Sequence, residues 1–367
     1  MDVIVIGGGI AGVSIAALLA AESSVTLVEQ ESVLAYHTTG RSAALYFENY
    51  GADAIRPLTR ASRPFLQDPP SGAVDSPLLS PRGALYIARE DQLQSLEEVA
   101  AEDPDRLFER VDGVRIRALQ PIVRPGYAAA GLYDETAADI DVAALHQAYV
   151  RLFRTAGGVI DTSAPALQVS QSATGWTVRT SRATLEADVV VNAAGAWGDH
   201  IAALANITPV GLRPLRRTAF MVGSEPDLAH TALAADMDFG FYFKPDGPQM
   251  LCSLAEEELD EPGDAQPREV DVALAIDRIN AATTLDIRHV RSAWTGLRTF
   301  APDGAPVTGF EPDHPGFFWL VGQGGTGIQT APGAAALAAS LILNGSPPPD
   351  MVTDGLEVAA LAPDRFR

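Results

Sequence analysis

Lysine is almost missing from this chain: of 367 residues only Lys244 is one. Cysteine also occurs once, as Cys252, which excludes an internal disulfide and any metal or iron–sulfur site built from several thiolates. The six histidines show no H-x3-H or H-E-x-x-H spacing, so no metal is expected. Neither G-x-S-x-G nor G-x-x-x-x-G-K-[ST] occurs. Positive charge is scarce: 26 Lys and Arg face 47 Asp and Glu, a net charge of −21. A surface this acidic repels phosphate backbones and anionic membranes and argues against a nucleic-acid partner. Residues 3–21 are apolar, but no basic leader precedes them, and Gly7, Gly8, Gly9 and Gly12 interrupt them. No other run reaches the ~18 apolar residues of a membrane span. The expectation is a cytoplasmic protein with no transmembrane segment.

What is present is globular. Apolar residues make up 47% of the chain, so it can bury a sizeable core. At ~150 residues per domain the length suggests two domains or one large one.

The first thirty residues are the most informative. Val3 to Ile6 is a β-branched run that fits a buried parallel strand. Gly7-Gly8-Gly9-Ile10-Ala11-Gly12 follows, then an apolar helical pattern through Val13, Ala16, Ala17 and Ala20. Val25 to Val28 reads as a second strand, ended by Glu29 and Gln30. Gly7 permits a tight turn, Gly9 lets the backbone approach a pyrophosphate, and Gly12 lets the helix pack closely on the strand. The helix start at Ile10 and Ala11 offers N–H groups to phosphate. Glu29 can accept hydrogen bonds from a ribose diol and would repel a 2′-phosphate. This βαβ unit predicts dinucleotide binding without separating FAD from NAD.

The segment His37-Thr38-Thr39-Gly40-Arg41-Ser42-Ala43-Ala44 is small and hydroxyl-rich. Later come Ser80-Pro81-Arg82, Asp139-Ile140-Asp141, Asn192-Ala193-Ala194-Gly195-Ala196-Trp197, Arg216-Arg217-Thr218, Tyr242-Phe243-Lys244-Pro245, Trp294-Thr295-Gly296-Leu297-Arg298 and Gln323-Gly324-Gly325-Thr326-Gly327-Ile328-Gln329. In this order, and over almost the whole chain, these runs resemble the D-amino-acid oxidase family of FAD-dependent oxidoreductases.

The resemblance implies an α/β fold: a Rossmann-type FAD-binding domain interleaved with a mixed-sheet substrate domain. The FAD part would comprise 1–60, 138–210 and 290–367, the substrate part 61–137 and 211–289. FAD would be bound non-covalently by the Gly7–Gly12 turn with Glu29 and Gln30. Thr38, Thr39, Arg41, Ser42, Ala43, Ala44, Ala194, Gly195, Trp197, Gly324, Gly325, Gly327, Ile328 and Gln329 would complete that site. The helix after Gly327 would aim its positive end at the flavin. Other elements expected from pattern are a helix over 142–155 capped by Asp141, strands over 166–169, 176–180, 184–187, 218–222, 239–243, 250–254 and 317–321, a helix over 269–282, and one over 328–343 stopped by Asn344-Gly345. The acidic run 256–261 reads as a solvated loop, Lys244 as a surface turn cation and Cys252 as a small core residue.

By the same resemblance Arg217 and Arg298 would clamp a substrate carboxylate, with Arg216 the competitor of Arg217, and Tyr50 and Tyr242 would help to orient the substrate. The pocket would include Leu45, Ala84, Gly325 and Thr326. Family members that act on D-arginine carry His where this chain has Leu45, and an acid where it has Ala84. The pocket is therefore expected to be more apolar, with Glu48 as an exposed residue or a replacement charge. The implied reaction is oxidative deamination of a D-amino acid, apolar or small in its side chain. It would be a dehydrogenase using an unidentified electron acceptor, such as a quinone, since no Lys lies in 250–252. Competing readings are secondary-amine or 2-hydroxy-acid oxidation on the same fold, a flavin-binding subunit with little turnover, and a tRNA-modifying oxidase, which the charge disfavours. Oligomeric state is left open.

Overall fold

The computed structural model describes residues 1–103, 107–224 and 228–367. One sheet has six strands in the order Val307–Phe310, Phe317–Val321, Val189–Asn192, Asp2–Ile6, Ser24–Val28 and Val159–Asp161. Neighbours are parallel, except that Val307–Phe310 runs antiparallel at the edge. The two central strands carry the apolar runs 3–6 and 189–191, as expected where both faces are covered. Helices Ile10–Leu19, Val142–Thr155 and Gly327–Asn344 pack on one face, over a core that includes Val5, Ile15, Leu27, Phe153 and Leu320. The other face carries the antiparallel sheet of Ala166–Gln171, Trp176–Thr180 and Thr184–Ala187, and the helix Gly198–Leu204.

A second sheet has eight strands: Ser292–Phe300, Arg213–Gly223, Gln249–Ser253, Tyr242–Asp246, Leu233–Asp236, Ala84–Ala88, Ala130–Asp134 and Glu109–Val111. It is antiparallel except where Leu233–Asp236 meets Ala84–Ala88. Its two faces separate by alternation. Phe220, Phe243 and Cys252 pack with Ala275 and Ile279 of helix Glu269–Ala282. Ala219, Met221 and Tyr242 pack on the opposite side with Phe47 and Tyr86. A small sheet of Leu45–Tyr46, Ala138–Ile140 and Leu79–Pro81 completes the α/β architecture.

Most sequence expectations hold to within a few residues. Helix Val142–Thr155 starts at Asp141, whose carboxylate accepts from Ala144 N, and the last long helix ends at Gly345 in the left-handed conformation. Four expectations fail. The strand expected over 239–243 starts only at Tyr242, because Phe239 turns the chain at φ 54° and stands 43% exposed. Lys244 is no surface turn cation: it lies on that strand, 7% exposed, with Nζ 2.6 Å from Asp139 Oδ1. Glu48 is not exposed, its carboxylate being tied to Arg60 Nε at 2.5 Å. The acidic run 256–261 is not simply solvated, because its carboxylates fold back onto arginines.

Candidate active site

Three chambers follow one another, each sharing lining residues with the next. The outer one is lined by Gly7, Gly8, Glu29, Gln30, His37, Leu167, Ala194 and Trp197. The middle one shares Gly9, Thr38, Thr39 and Gly195 with it, and continues past Ile10, Ala11, Arg41 and Ser42 to Thr299, Gln323, Gly324 and Gly327. Ala43, Ala44, Arg217, Tyr242, Arg298, Gly325 and Ile328 line both the middle chamber and an inner, aromatic one.

The outer waist is made by glycine geometry. Gly7 has φ +114°, and a Cβ there would lie 2.4 Å from Ala193 O. A Cβ on Gly12 would lie 1.8 Å from Gly7 O, so Gly12 does not line a chamber but lets the helix sit against the turn. Gly9 begins helix Ile10–Leu19 with no capping side chain of its own; Thr39 Oγ1 accepts from Ile10 N at 3.0 Å instead. Glu29 accepts from Gly8 N at 2.6 Å and from Glu31 N at 2.8 Å. A carboxylate has about four acceptor sites, so capacity remains for a diol. Beneath, His146 Nε2 lies 3.1 Å from Gly8 O, and burial holds the imidazole below its ordinary pKa. As a neutral donor it pins the turn. The sequence offered no signal for His146, which is one apolar-face position of a helix.

The uncapped start of helix Gly327–Asn344 supplies the second positive helix end, at the middle chamber. There Gln323 Nε2 and Thr299 Oγ1 are buried without a partner among the described residues. Two open helix starts, a glycine-walled waist and unpaired polar atoms at the far end suit a long group with a pyrophosphate in its middle and polar edges. The fit to a flavin dinucleotide is good.

The inner chamber is lined by Leu45, Phe47, Tyr50, Tyr86, Leu233 and Phe239, besides the shared residues. Arg298 Nη1 donates to Tyr50 Oη at 3.1 Å. Burial works against the charged form of Arg298, but Tyr50, Tyr242 and Glu257 around it hold its guanidinium above the ordinary arginine value. Arg217, 9% exposed, is lowered by burial and then by Arg298 beside it. Its Nε donates to Glu256 O at 2.9 Å and its Nη2 to Glu257 Oε1 at 2.8 Å. Strand alternation sends Arg216 to the other side of the sheet, where it pairs with Asp260 and Gln266 O; Arg217, not Arg216, reaches the chambers.

Three expected placements differ. Ala84 lies within the core and lines no chamber; Tyr86, two residues along the same strand, does. Thr326 lines none either: it precedes the helix without capping it, its Oγ1 donating back to Gln323 O. Gln329 lines the inner chamber rather than the dinucleotide groove, with Oε1 accepting from Phe47 N at 3.0 Å. It fixes the loop that bears Tyr50. Arg41 lines the middle chamber, yet its guanidinium is spent on Thr295 O, Ala265 O and Asp264. Phe47, Tyr86 and Phe239 were missed. Their signal was aromatic residues near Tyr50 and Tyr242, legible only once the sheet brings them together.

Comparison with known proteins agrees with this geometry. The chain is 26% identical over 408 residues to the FAD-dependent oxidoreductase domain-containing protein 1 of Bos taurus, covering 94% of this chain and 81% of that protein. The L-proline dehydrogenase of P. horikoshii superposes with a TM-score of 0.86 at 18% identity, covering 100% of this chain and 97% of the other. The glycine oxidase of Geobacillus kaustophilus gives 0.83 at 20% identity, covering 93% and 94%. The DAO family of FAD-dependent oxidoreductases is matched over residues 2–341, so its motifs, both sheets and all three chambers fall within one homologous unit. This chain belongs to that family and is an FAD-dependent oxidoreductase.

Proposed function

We propose that the protein oxidises the Cα–N bond of a D-amino acid with a small or apolar side chain. The imino acid released would react with water to give a 2-oxo acid and ammonia. The observation that carries this reading is the shared wall. Arg217, Arg298 and Tyr242 face both the middle chamber, which suits the flavin, and the aromatic chamber beyond it. Bound FAD supplies the hydride acceptor.

The chain's own groups do the positioning, which is the larger part of such catalysis. Arg298, with Tyr50 on its Nη1, holds the substrate carboxylate at the wall. Tyr242, from another strand of the same sheet, orients the Cα. Phe47, Tyr86, Phe239 and Leu45 exclude water and receive an apolar side chain. No Asp, Glu or His lines either chamber among the described residues, so the α-ammonium gives its proton to solvent before oxidation. The D configuration follows the sequence resemblance. Cys252 is fully buried and lines no chamber, which supports non-covalent FAD. Lys244 is paired with Asp139 and lines none, which supports electron transfer to a carrier over rapid reaction with oxygen.

The missing acid also favours a second reading. An amine bearing an alkyl group fits as well as a free ammonium where no carboxylate waits for it. Product analysis with an artificial electron acceptor separates the two. Equal amounts of ammonia and 2-oxo acid from a D-amino acid support the first, and an alkylamine or aldehyde from an N-alkyl amino acid supports the second. A flavin reduced by neither class contradicts both.

A further inference from the structure

The two arginines of the clamp are not equivalent. Arg298 makes no ion pair among the described residues and gives one N–H to Tyr50. Arg217 already holds a carboxylate, Glu257, and a backbone carbonyl, that of Glu256. The segment that supplies them is built to stay. Ala255 enters it at φ 61°, an uncommon conformation for alanine, while 7% exposed. Glu256 Oε1 accepts from Thr218 N at 2.5 Å. Glu258 pairs with Arg268, Asp260 with Arg216, and further on Asp264 with Arg41. A strap of acids is thus fastened across the clamp, with one carboxylate always beside the guanidinium that meets substrate.

We infer that Glu257 is a specificity-determining residue: it cancels one charge of the Arg217–Arg298 pair, so that the site accepts one carboxylate and rejects a second. A monocarboxylate binds to Arg298 and to the remaining N–H groups of Arg217. Glu257 lines neither chamber and acts through Arg217: a second carboxylate on the ligand finds that guanidinium already paired, and the like charge behind it costs affinity. The substrate class narrows to amino acids with a single carboxylate. This rests on the carboxylate-clamp reading above.

The test uses the FAD-loaded protein at fixed ionic strength, with ligand binding read from perturbation of the flavin spectrum. Propionate and malonate share one carboxylate, and malonate carries a second where propionate has its methyl group. In Glu257→Gln the amide oxygen still accepts from Arg217 while the charge is gone. The expected result is that malonate gains about tenfold more affinity than propionate does, relative to wild type. A merely structural role for Glu257 would move both ligands alike, and a malonate-to-propionate ratio within about twofold of wild type overturns the inference. Arg298→Met separates the levels. If it weakens propionate in wild type while the ratio in Glu257→Gln stays put, only the role of Glu257 is lost. If Arg298→Met leaves propionate unaffected, or no carboxylate perturbs the wild-type flavin, the clamp reading fails and this inference with it.

Discussion

Arg298 shows how one side chain acquires a role from its surroundings. Its strand brings it to the wall, Tyr50 fixes one N–H, and no acid neutralises it among the described residues. Replacing it by Met removes a charge-assisted contact worth roughly 1.5–3 kcal/mol, so kcat/KM should fall by about tenfold to a hundredfold or more with flavin content unchanged. Steady-state kinetics beside the flavin-to-protein absorbance ratio checks both parts. His146 sits at the other end of the groove. Its folded-state pKa lies below the ordinary value of ~6.5, so the unfolded chain binds more protons below that pH. Its contribution is full above ~6.5 and is lost as the pH falls through the folded pKa. In His146→Gln, which keeps a donor for Gly8 O, the loss of stability on going from pH 7 to 5 should be smaller than in wild type. Thermal melts across that range would contradict this by showing equal slopes. Arg298 was legible as a charge in a strand pattern; His146 was not, because only the tertiary contact with Gly8 gives it meaning.

At the scale of elements, the first βαβ unit was the clearest text in the sequence. Its turn obeys steric rules that act within a dozen residues. Gly12→Ala would put a methyl into Gly7 O, and the backbone must give way. The variant should lose most of its FAD on gel filtration, whereas Gly345→Ala, with open space around its Cβ, should keep the cofactor at a modest cost in stability. Equal flavin retention in the two would refute the role given to the turn. The acidic run 256–261 was illegible for the opposite reason. In sequence it looks like solvent-facing charge, and two of its arginine partners, Arg216 and Arg217, lie about forty residues away. Lys244 was misread likewise: Pro245 suggested a turn, but the proline sits in a strand and the ammonium meets Asp139 of the small sheet.

The whole molecule is built on two large sheets with two three-stranded ones beside them, and blocks of strands alternate between the large sheets along the chain. The expected interleaving of domains is compatible with that order. Helix Arg56–Gln67 packs on the last long helix, with Ser62 Oγ accepting from Gly333 N at 2.9 Å, and strand Ser292–Phe300 belongs to the eight-stranded sheet. We therefore propose domain boundaries near 67 and 300 rather than at 60 and 290. The fold was readable because family motifs mark the backbone turns; the aromatic chamber was not, since its residues come from six separated segments and share no local pattern. The measurement that tests the account most directly is an anaerobic visible spectrum of the purified, FAD-loaded protein during addition of single neutral D- and L-amino acids. The account predicts loss of the ~450 nm flavin band with a neutral D-amino acid, and a loss slower by about tenfold or more in Arg298→Met at the same subsaturating concentration. A flavin that no D-amino acid bleaches, while an L-amino acid, an N-alkyl amine or a hydroxy acid does, would contradict it.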